Sequence, residues 1–170
     1  MKKKIGRLGM VAGVTALMLG CAGMQQQAQV SPVDQHFLLN AAAVGTAEVA
    51  LGELAMQKAQ DPAIREFGQH MVTDHNRVNG ELMMLAAAKG VVLPKAMDPA
   101  NKVLHSELSA LSGAAFDRQY IISQVNIHNM GNGLYLSEAQ SGLDLEVKNF
   151  AAKNTPVGIE HLKMAQSLVQ

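Results

Sequence analysis

"FGQHMVTDHNRVNGEL", residues 67–82, predicts an amphipathic helix that places an ionisable ring among its apolar residues. Apolar side chains in and just before this stretch recur every three or four positions, which is the spacing of one helix face. They are Ile64, Phe67, Met71, Val78 and Leu82. The same stepping puts His75 between Met71 and Val78, on the face that the helix buries. Because buried polar groups are normally paired, the partners of His75 bear on the function of the protein.

The chain beyond this stretch is also predicted to be helical almost throughout. It is rich in Ala, Leu, Met, Gln and Glu, and no run alternates with a period of two. Proline and capping residues at helix starts, and glycine at helix ends, divide it into four long helices and one short one. The predicted ranges are 33–59, 62–89, 99–111, 114–140 and 144–168. This order predicts an all-α fold, a four-helix bundle with a short extra helix between the second and third long helices.

The amino terminus has the pattern of a secretory signal. Four basic residues precede an apolar run, residues 8–19, that is too short and too rich in glycine to span a membrane. The run ends at "MLGC", which resembles the lipobox of bacterial lipoproteins, and its Cys21 is the single cysteine of the chain. We therefore predict a lipoprotein signal peptide over residues 1–20, lipidation of Cys21, a flexible tether over 21–31 and the bundle over 32–170.

The residue after the cysteine predicts the destination. Ala22, rather than an aspartate, resembles the pattern of lipoproteins that are sent on to the outer membrane. We expect an outer membrane lipoprotein that faces the periplasm and contacts the membrane through the lipid on Cys21. The alternative is an ordinary signal peptide with an incidental cysteine, which would leave a soluble periplasmic protein.

The charge of the mature chain argues against nucleic acid as a partner. Four of the 14 basic residues lie in the signal, which leaves 10 against 14 acidic residues and a net charge of 10 − 14 = −4. Nucleic-acid binding needs a basic surface. Aromatic residues make up 4% of the chain and Trp is absent, so the stacking surfaces used by single-strand binders are also scarce.

Helix spacing selects one carboxylate and three histidines, one from each long helix, as inward-facing polar residues: Glu48, His75, His128 and His161. With a rise of about 1.5 Å per residue, the first three lie level to within about 4 Å, whereas His161 lies about 9 Å beyond His128. Side chains of antiparallel neighbours lean toward each other, which closes part of this gap. Pro156, one turn before His161, is expected to kink the last helix. A four-ligand site and a three-ligand site without His161 both remain open. His36, His70 and His105 miss the inward faces and are predicted to be solvated.

Five motifs in order resemble a large family of exported bacterial proteins with a ferritin-like domain of unknown function, often labelled as outer membrane proteins. They are "EVALGELA", "FGQHMVTDH", "GAAFDRQY", the His128 segment and "EHLKMAQ", and the resemblance covers residues 34–168. It implies a ferritin-like four-helix bundle and brings no established reaction or substrate. Its motif positions are occupied here by Glu48, Asp74, His75, Phe116, Asp117, Tyr120, His128 and His161.

The inward set does not fit the di-iron chemistry of ferritin-like proteins. Those sites use bridging carboxylates and a Glu-x-x-His motif on each of two helices, whereas Val72 and Gly158 stand three residues before His75 and His161. Three imidazoles and one carboxylate suit a single borderline cation, Zn²⁺ or Cu²⁺. No nucleophile–base pair or phosphate loop is present, so we do not expect an enzyme.

Two functional interpretations follow. The domain is either an anchored module that binds one metal ion through Glu48, His75, His128 and His161, or a structural or stress-related envelope protein whose core histidines only specify packing. Two further expectations concern residues near the site. Asp74 is predicted to pair on the surface with Arg77 or His70. Asp117 and Tyr120 are predicted to hold the connector that precedes the third long helix.

Overall fold

The structure is a computed structural model that describes residues 30–169. Over these residues it contains five helices and no strand. The helices are α1 (Pro32–Lys58), α2 (Pro62–Ala88), α3 (Pro99–Ser109), α4 (Gly113–Ser141) and α5 (Leu145–Ser167). The all-α bundle of four long helices, with a short helix between the second and third, is confirmed, with ends that differ from the predicted ones by one or two residues. The predicted signal peptide, Cys21 and most of the tether lie outside the described residues.

Proline and short polar side chains set the helix starts. α1, α2 and α3 each begin at a proline, whose missing N–H costs nothing in the first turn. The residue before each proline caps the helix: Ser31 Oγ accepts from the Asp34 N–H at 3.1 Å, and Asp61 accepts from the Ala63 N–H at 2.8 Å. At the other end of α2, Gly90 takes the left-handed conformation with φ of 70° and the Val91 N–H bonds back to the Ala86 carbonyl.

The four long helices form two antiparallel pairs. α1 packs along α2 and α4 along α5, and each pair is joined by a short turn. Within the first pair the backbones approach closely at Gly52 and Gly68, because a Cβ on Gly52 would lie 2.7 Å from the Gly68 carbonyl oxygen. α3 lies across the end of the bundle that holds the α1–α2 turn, where it buries Leu108 and receives a hydrogen bond from Lys58 to its Ser109 carbonyl. The short helix therefore covers this end of the core.

The interior consists of two apolar clusters with a polar layer between them. The first cluster surrounds the α1–α2 turn and includes Leu51 and Met71. The second, at the opposite end, includes Ala42 and Val78. Along α1 the polar layer therefore falls between residues 42 and 51, and along α2 between residues 71 and 78. The core of the bundle thus changes from apolar to polar and back to apolar along its axis.

Helix α1 is long and apolar enough to cross a membrane, with a mean hydropathy of 1.3 over its most apolar window. Half of that window is buried inside the bundle, and the helix carries the fully buried carboxyl groups of Asp34 and Glu48. This burial explains the apolar composition of α1, because a helix that is buried on more than one side is apolar on more than one side.

The contact between Gly52 and Gly68 gives a test of the packing. We expect Gly52→Ala to destabilise the domain by about 1–3 kcal/mol, since its methyl group must push the α1 and α2 backbones apart. Gly80→Ala in α2 is the matched control, because a Cβ there meets no atom within 4 Å. The control should gain about 0.5–1 kcal/mol from helix propensity. Urea unfolding monitored by circular dichroism measures both. Equal shifts in the two variants would show that this contact does not set the helix spacing.

Candidate metal centre

Three histidines from three helices meet in the polar layer. His75 comes from α2, His128 from α4 and His161 from α5. One ring nitrogen of each lies within 4.8 Å of those of the other two. The ring centroids are 6.1 Å apart for His75 and His128, and 5.4 Å apart for the two pairs that include His161. Imidazoles at this spacing can share one metal ion.

Each ring has one buried nitrogen without a hydrogen-bond partner among the residues that the structure describes. These atoms are His75 Nε2, His128 Nε2 and His161 Nδ1. The side chains of His128 and His161 are almost fully buried, whereas that of His75 is partly exposed although its Nε2 is not. Protein interiors rarely leave such atoms unpaired, because desolvating a polar group without a new bond costs about 1–3 kcal/mol.

The second nitrogen of two rings is held by a fixed acceptor. His128 Nδ1 lies 2.9 Å from the Gln124 carbonyl oxygen, one turn earlier in α4. A carbonyl oxygen can only accept, so Nδ1 carries the proton and Nε2 presents a lone pair. His161 Nε2 lies 3.0 Å from Asp74 Oδ2 in α2, which in the same way leaves the lone pair on Nδ1. Metal-binding histidines characteristically have such a second partner, which fixes the tautomer and the ring orientation.

The expectation for Asp74 was wrong in its partner. Its carboxylate bonds to His161 rather than to Arg77 or His70, and its side chain is 36% exposed. The prediction from helix spacing considered only which residues face inward on α2. It did not consider that a residue at the edge of that face can contact a histidine ring of α5. The charge pattern of a single helix does not reveal such a cross-helix contact.

Burial favours the neutral form, which is the form that binds metal, in two of the rings. It lowers the pKa of His75 well below 6.5, and the neighbouring His161, His128 and Arg77 act in the same direction. Burial also lowers the pKa of His161, although the hydrogen bond to Asp74 opposes this effect. A neutral imidazole requires no proton to leave before an ion binds.

Glu48 lies beside this group and not within it. Its carboxylate is fully buried, and Oε1 is 3.9 Å from His128 Nδ1, the nitrogen that His128 directs at Gln124. Burial raises the pKa of Glu48, while His128 and the Gln124 side chain act in the opposite direction. Both carboxylate oxygens lack a hydrogen-bond partner among residues 30–169. Glu48 therefore lies at the edge of the group and is not one of its three converging residues.

The height estimate from the sequence has to be corrected at His161. It left His161 about 9 Å beyond His128, whereas the structure places the two ring centroids 5.4 Å apart. The lean of side chains on antiparallel neighbours acts in this direction. Glu48 agrees with the estimate, since its Oε1 lies 3.9 Å from His128 Nδ1. Helix α5 is continuous through Pro156.

Other predicted positions have structural roles. The Asp117 carboxylate accepts from the backbone N–H groups of Gln60 and Asp61, at 2.9 Å each, and so holds the α1–α2 turn rather than the connector. Tyr120 is fully buried and its ring stacks on Phe116 with centroids 5.7 Å apart. His36 and His70 are exposed, as predicted, and His105 is partly exposed.

Two residues of the polar layer were not predicted as part of a site. Gln124 is fully buried and its side-chain amide has no hydrogen-bond partner within the described chain. Asn154 donates from Nδ2 to the Phe150 carbonyl at 3.0 Å, and its Oδ1 is buried without a partner there. Helix spacing places Asn154 on the inward face of α5, and Gln124 lies one turn before His128. Their positions along the helices could therefore have predicted them as part of the polar layer, whereas their residue types could not.

Comparison with known protein families assigns the chain to one of them. Residues 19–168 match the domain of unknown function DUF4142. The chain belongs to this family. That result confirms the membership in a family of unknown function that the five motifs predicted. None of the curated proteins compared matches the DUF4142 chain.

Two solved structures resemble the DUF4142 chain in fold. One is a DUF305 fragment from Deinococcus radiodurans, with a TM-score of 0.73 and 11% identity, covering 82% of this chain and 97% of that one. The other is the conserved hypothetical protein rv2844 from Mycobacterium tuberculosis, with a TM-score of 0.61 and 15% identity, covering 81% and 90%. At these identities the likeness supports the helical bundle and carries no information on function.

The neutral state of His75 predicts a pH dependence of stability in metal-free protein. The folded protein holds this ring unprotonated while the unfolded chain takes up a proton below about pH 6.5. The wild type therefore carries no penalty from the titration of this ring above about pH 6.5, and it loses stability as the pH falls below that value. In the presence of a chelator, His75→Leu should be at least as stable as the wild type at pH 7.5. Its advantage should grow toward pH 5.5, by at most about 1.4 kcal/mol per pH unit.

The difference between the two proteins is the quantity to measure, because Glu138, with its pKa raised to about 7 mainly by burial, affects both equally. Urea unfolding at the two pH values provides it. His36→Leu, which removes an exposed histidine of α1, is the control and should not reproduce the effect. A constant difference between wild type and His75→Leu would contradict a buried, neutral His75.

Proposed function

We propose that this DUF4142 domain binds a single divalent metal ion, Zn²⁺ or Cu²⁺, through His75, His128 and His161. The observation that carries the proposal is the convergence of three histidines, each with one ring nitrogen within 4.8 Å of those of the other two. Each of the three rings also has a buried nitrogen without a partner in residues 30–169. A tetrahedral ion with bonds of about 2.0–2.1 Å would hold its nitrogen ligands about 3.3 Å apart. The rings would therefore close by at most about 1.5 Å on binding.

The charges around the rings favour a divalent ion. Three neutral imidazoles contribute no charge, so the ion would place two positive charges in the interior. Two carboxylates flank the group, with Asp74 at 3.0 Å from His161 and Glu48 at 3.9 Å from His128. Ionised, they balance a 2+ ion, which lowers the cost of burying it. Nitrogen ligands also match the preferences of Zn²⁺ and Cu²⁺ better than those of Mg²⁺ or Ca²⁺.

The same residues do not support a di-iron centre. Val72 and Gly158 occupy the positions three before His75 and His161, where a ferritin-like site would carry glutamates. Without bridging carboxylates the site could not neutralise two hard cations. We therefore propose a binding module that sequesters or buffers one ion, and not an oxidase.

We further propose that the domain works in the bacterial envelope as an outer membrane lipoprotein facing the periplasm. The support is the signal pattern that ends at Cys21, together with the tether that would connect a lipid to α1. If no metal binds, the alternative is a structural or stress-related envelope protein whose histidines serve only the packing of the bundle.

Metal binding predicts a ligand-linked gain in stability. A hundredfold to thousandfold excess of Zn²⁺ or Cu²⁺ over Kd should stabilise the wild type by about 3–4 kcal/mol relative to chelator. His75→Leu should lose both uptake and stabilisation, because two imidazoles hold a buried ion poorly. Thermal unfolding of untagged protein, and metal content by mass spectrometry after dialysis, provide the two measurements. An unfolding midpoint that neither metal changes would leave the structural alternative.

Asp74→Asn gives a graded arm of this experiment. Loss of the carboxylate that orients His161 should weaken metal binding by about 10–100-fold without abolishing it. Glu81→Gln is the matched control, because Glu81 also links α2 to α5, through Lys153 at 2.9 Å, but away from the rings. The control should bind metal as the wild type does. Equal losses in the two variants would show that helix linkage, and not ring orientation, is what matters.

The lipid anchor has its own test. Cys21→Ser should remove the acceptor of the lipid and leave residues 32–170 folded. The variant should therefore move from the membrane fraction to the soluble fraction, while its circular dichroism spectrum stays that of the wild type. Incorporation of radiolabelled palmitate should occur in the wild type alone. Failure of the wild type to take up label would overturn the lipoprotein assignment.

A further inference from the structure

A small cavity adjoins the three histidines on one side. It has a volume of about 50 Å³ and is lined by residues of all four long helices. His75 and His128 contribute to its wall, as does Glu48, whereas His161 does not. The cavity therefore begins at the histidine group and extends away from His161, toward the end of the bundle that holds the second apolar cluster.

Three buried polar groups on this wall can accept hydrogen bonds. Asn154 Nδ2 already donates to the Phe150 carbonyl, so its unpaired Oδ1 is left to accept. His128 Nε2 presents a lone pair because Nδ1 is held by Gln124. The Glu48 carboxyl keeps an accepting oxygen in either protonation state. All three are buried without a hydrogen-bond partner among residues 30–169. These groups favour a cation or a hydrogen-bond donor over an anion.

The volume restricts the size of what can enter. A cavity of about 150 Å³ holds benzene, so about 50 Å³ has room for one to a few water-sized ligands beside the rings. A donor of this size beside the histidines can contact Asn154 and Glu48 on one side and an ion held by the rings on the other.

From this geometry we infer that the metal ion keeps a fourth, exchangeable coordination position, which faces the cavity and takes a water-sized neutral donor such as water or ammonia. The inference rests on the proposed metal binding and goes beyond it, because it distinguishes an open site from a closed structural one. Sites with three protein ligands and a water are the open kind, in which the ion can exchange its ligand and polarise it. Asn154 Oδ1 and the Glu48 carboxyl would accept the two hydrogen bonds of that ligand.

Two glycines of α4 allow the cavity to be filled selectively. Gly131 lines the cavity, and a Cβ built on it meets no atom within 4 Å. Gly133 has the same open surroundings but does not contribute to the wall. Gly131→Leu should therefore occupy the space beside the ion, while Gly133→Leu changes the same helix by the same side chain outside the cavity.

The experiment uses the residue 22–170 domain loaded with Cu²⁺ and examined by pulsed electron paramagnetic resonance in H₂O and in D₂O, with the full-length protein in detergent as a second sample. The wild type should show three imidazole nitrogens and exchangeable deuterons of a coordinated water. Gly131→Leu should keep the three nitrogens and lose the coordinated deuterons, and Gly133→Leu should match the wild type. An azide titration of the wild type, which needs no variant to fold, should leave the spectrum unchanged.

The possible failures point to different conclusions. A wild type without three imidazole nitrogens overturns the proposed metal site itself. Three nitrogens without coordinated deuterons show a closed site and overturn the inference. Coordinated deuterons that persist in Gly131→Leu overturn the assignment of the position to this cavity. A spectrum altered by azide overturns the neutral-donor class of the ligand.

Discussion

Placing four ionisable side chains between two apolar clusters is the constraint on which this bundle depends. Each clustered ring has a nitrogen that no side chain or backbone group in residues 30–169 satisfies, and the Glu48 carboxylate has two such oxygens. At about 1–3 kcal/mol for each unsatisfied group, this layer opposes folding by an amount comparable to the total stability of a small domain. An apolar layer of the same volume would avoid this cost. A ligand that pairs with several of these atoms at once, such as the metal ion that we propose, would offset it.

The arrangement around the rings supports a site more than a set of isolated core histidines. A histidine that served packing alone would be satisfied by bonding through either nitrogen to whatever acceptor is near. Here His128 and His161 each bond through one nitrogen, to Gln124 and Asp74, and each keeps its other nitrogen buried without a partner among residues 30–169. The two acceptors lie on different helices and are of different types. In both rings a fixed acceptor on one nitrogen leaves the other nitrogen available to a cation.

Much of this architecture could be predicted from local sequence, because the features that determine it are local. Prolines and capping side chains mark the helix starts, Gly90 marks a helix end, and apolar spacing marks the inward face that carries His75, His128 and His161. The relative heights of residues on different helices are not local. They depend on how far each side chain leans and on where each pair of helices crosses, and for this reason His161 was placed too far away. The partner of Asp74 was predicted wrongly for the same reason, since no property of α2 alone reveals that a ring of α5 lies within reach of it.

A second buried carboxylate in the same helix differs from Glu48 in its partners. Asp34 of α1 is also fully buried, yet it accepts hydrogen bonds from the Ser31 hydroxyl at 2.6 Å and from the Leu143 and Asp144 N–H groups at 2.8 and 3.1 Å. Burial acts to raise the pKa of Asp34, but hydrogen bonds, these three among them, overcome it and the pKa is lowered. For Glu48 the balance is reversed and burial raises its pKa, as it does for Glu138, whose Oε1 is also buried without a partner in residues 30–169. Asp34 joins two helix ends and is supplied with donors. Glu48 lies beside the three histidines, where the positive ion that we propose would provide the missing charge.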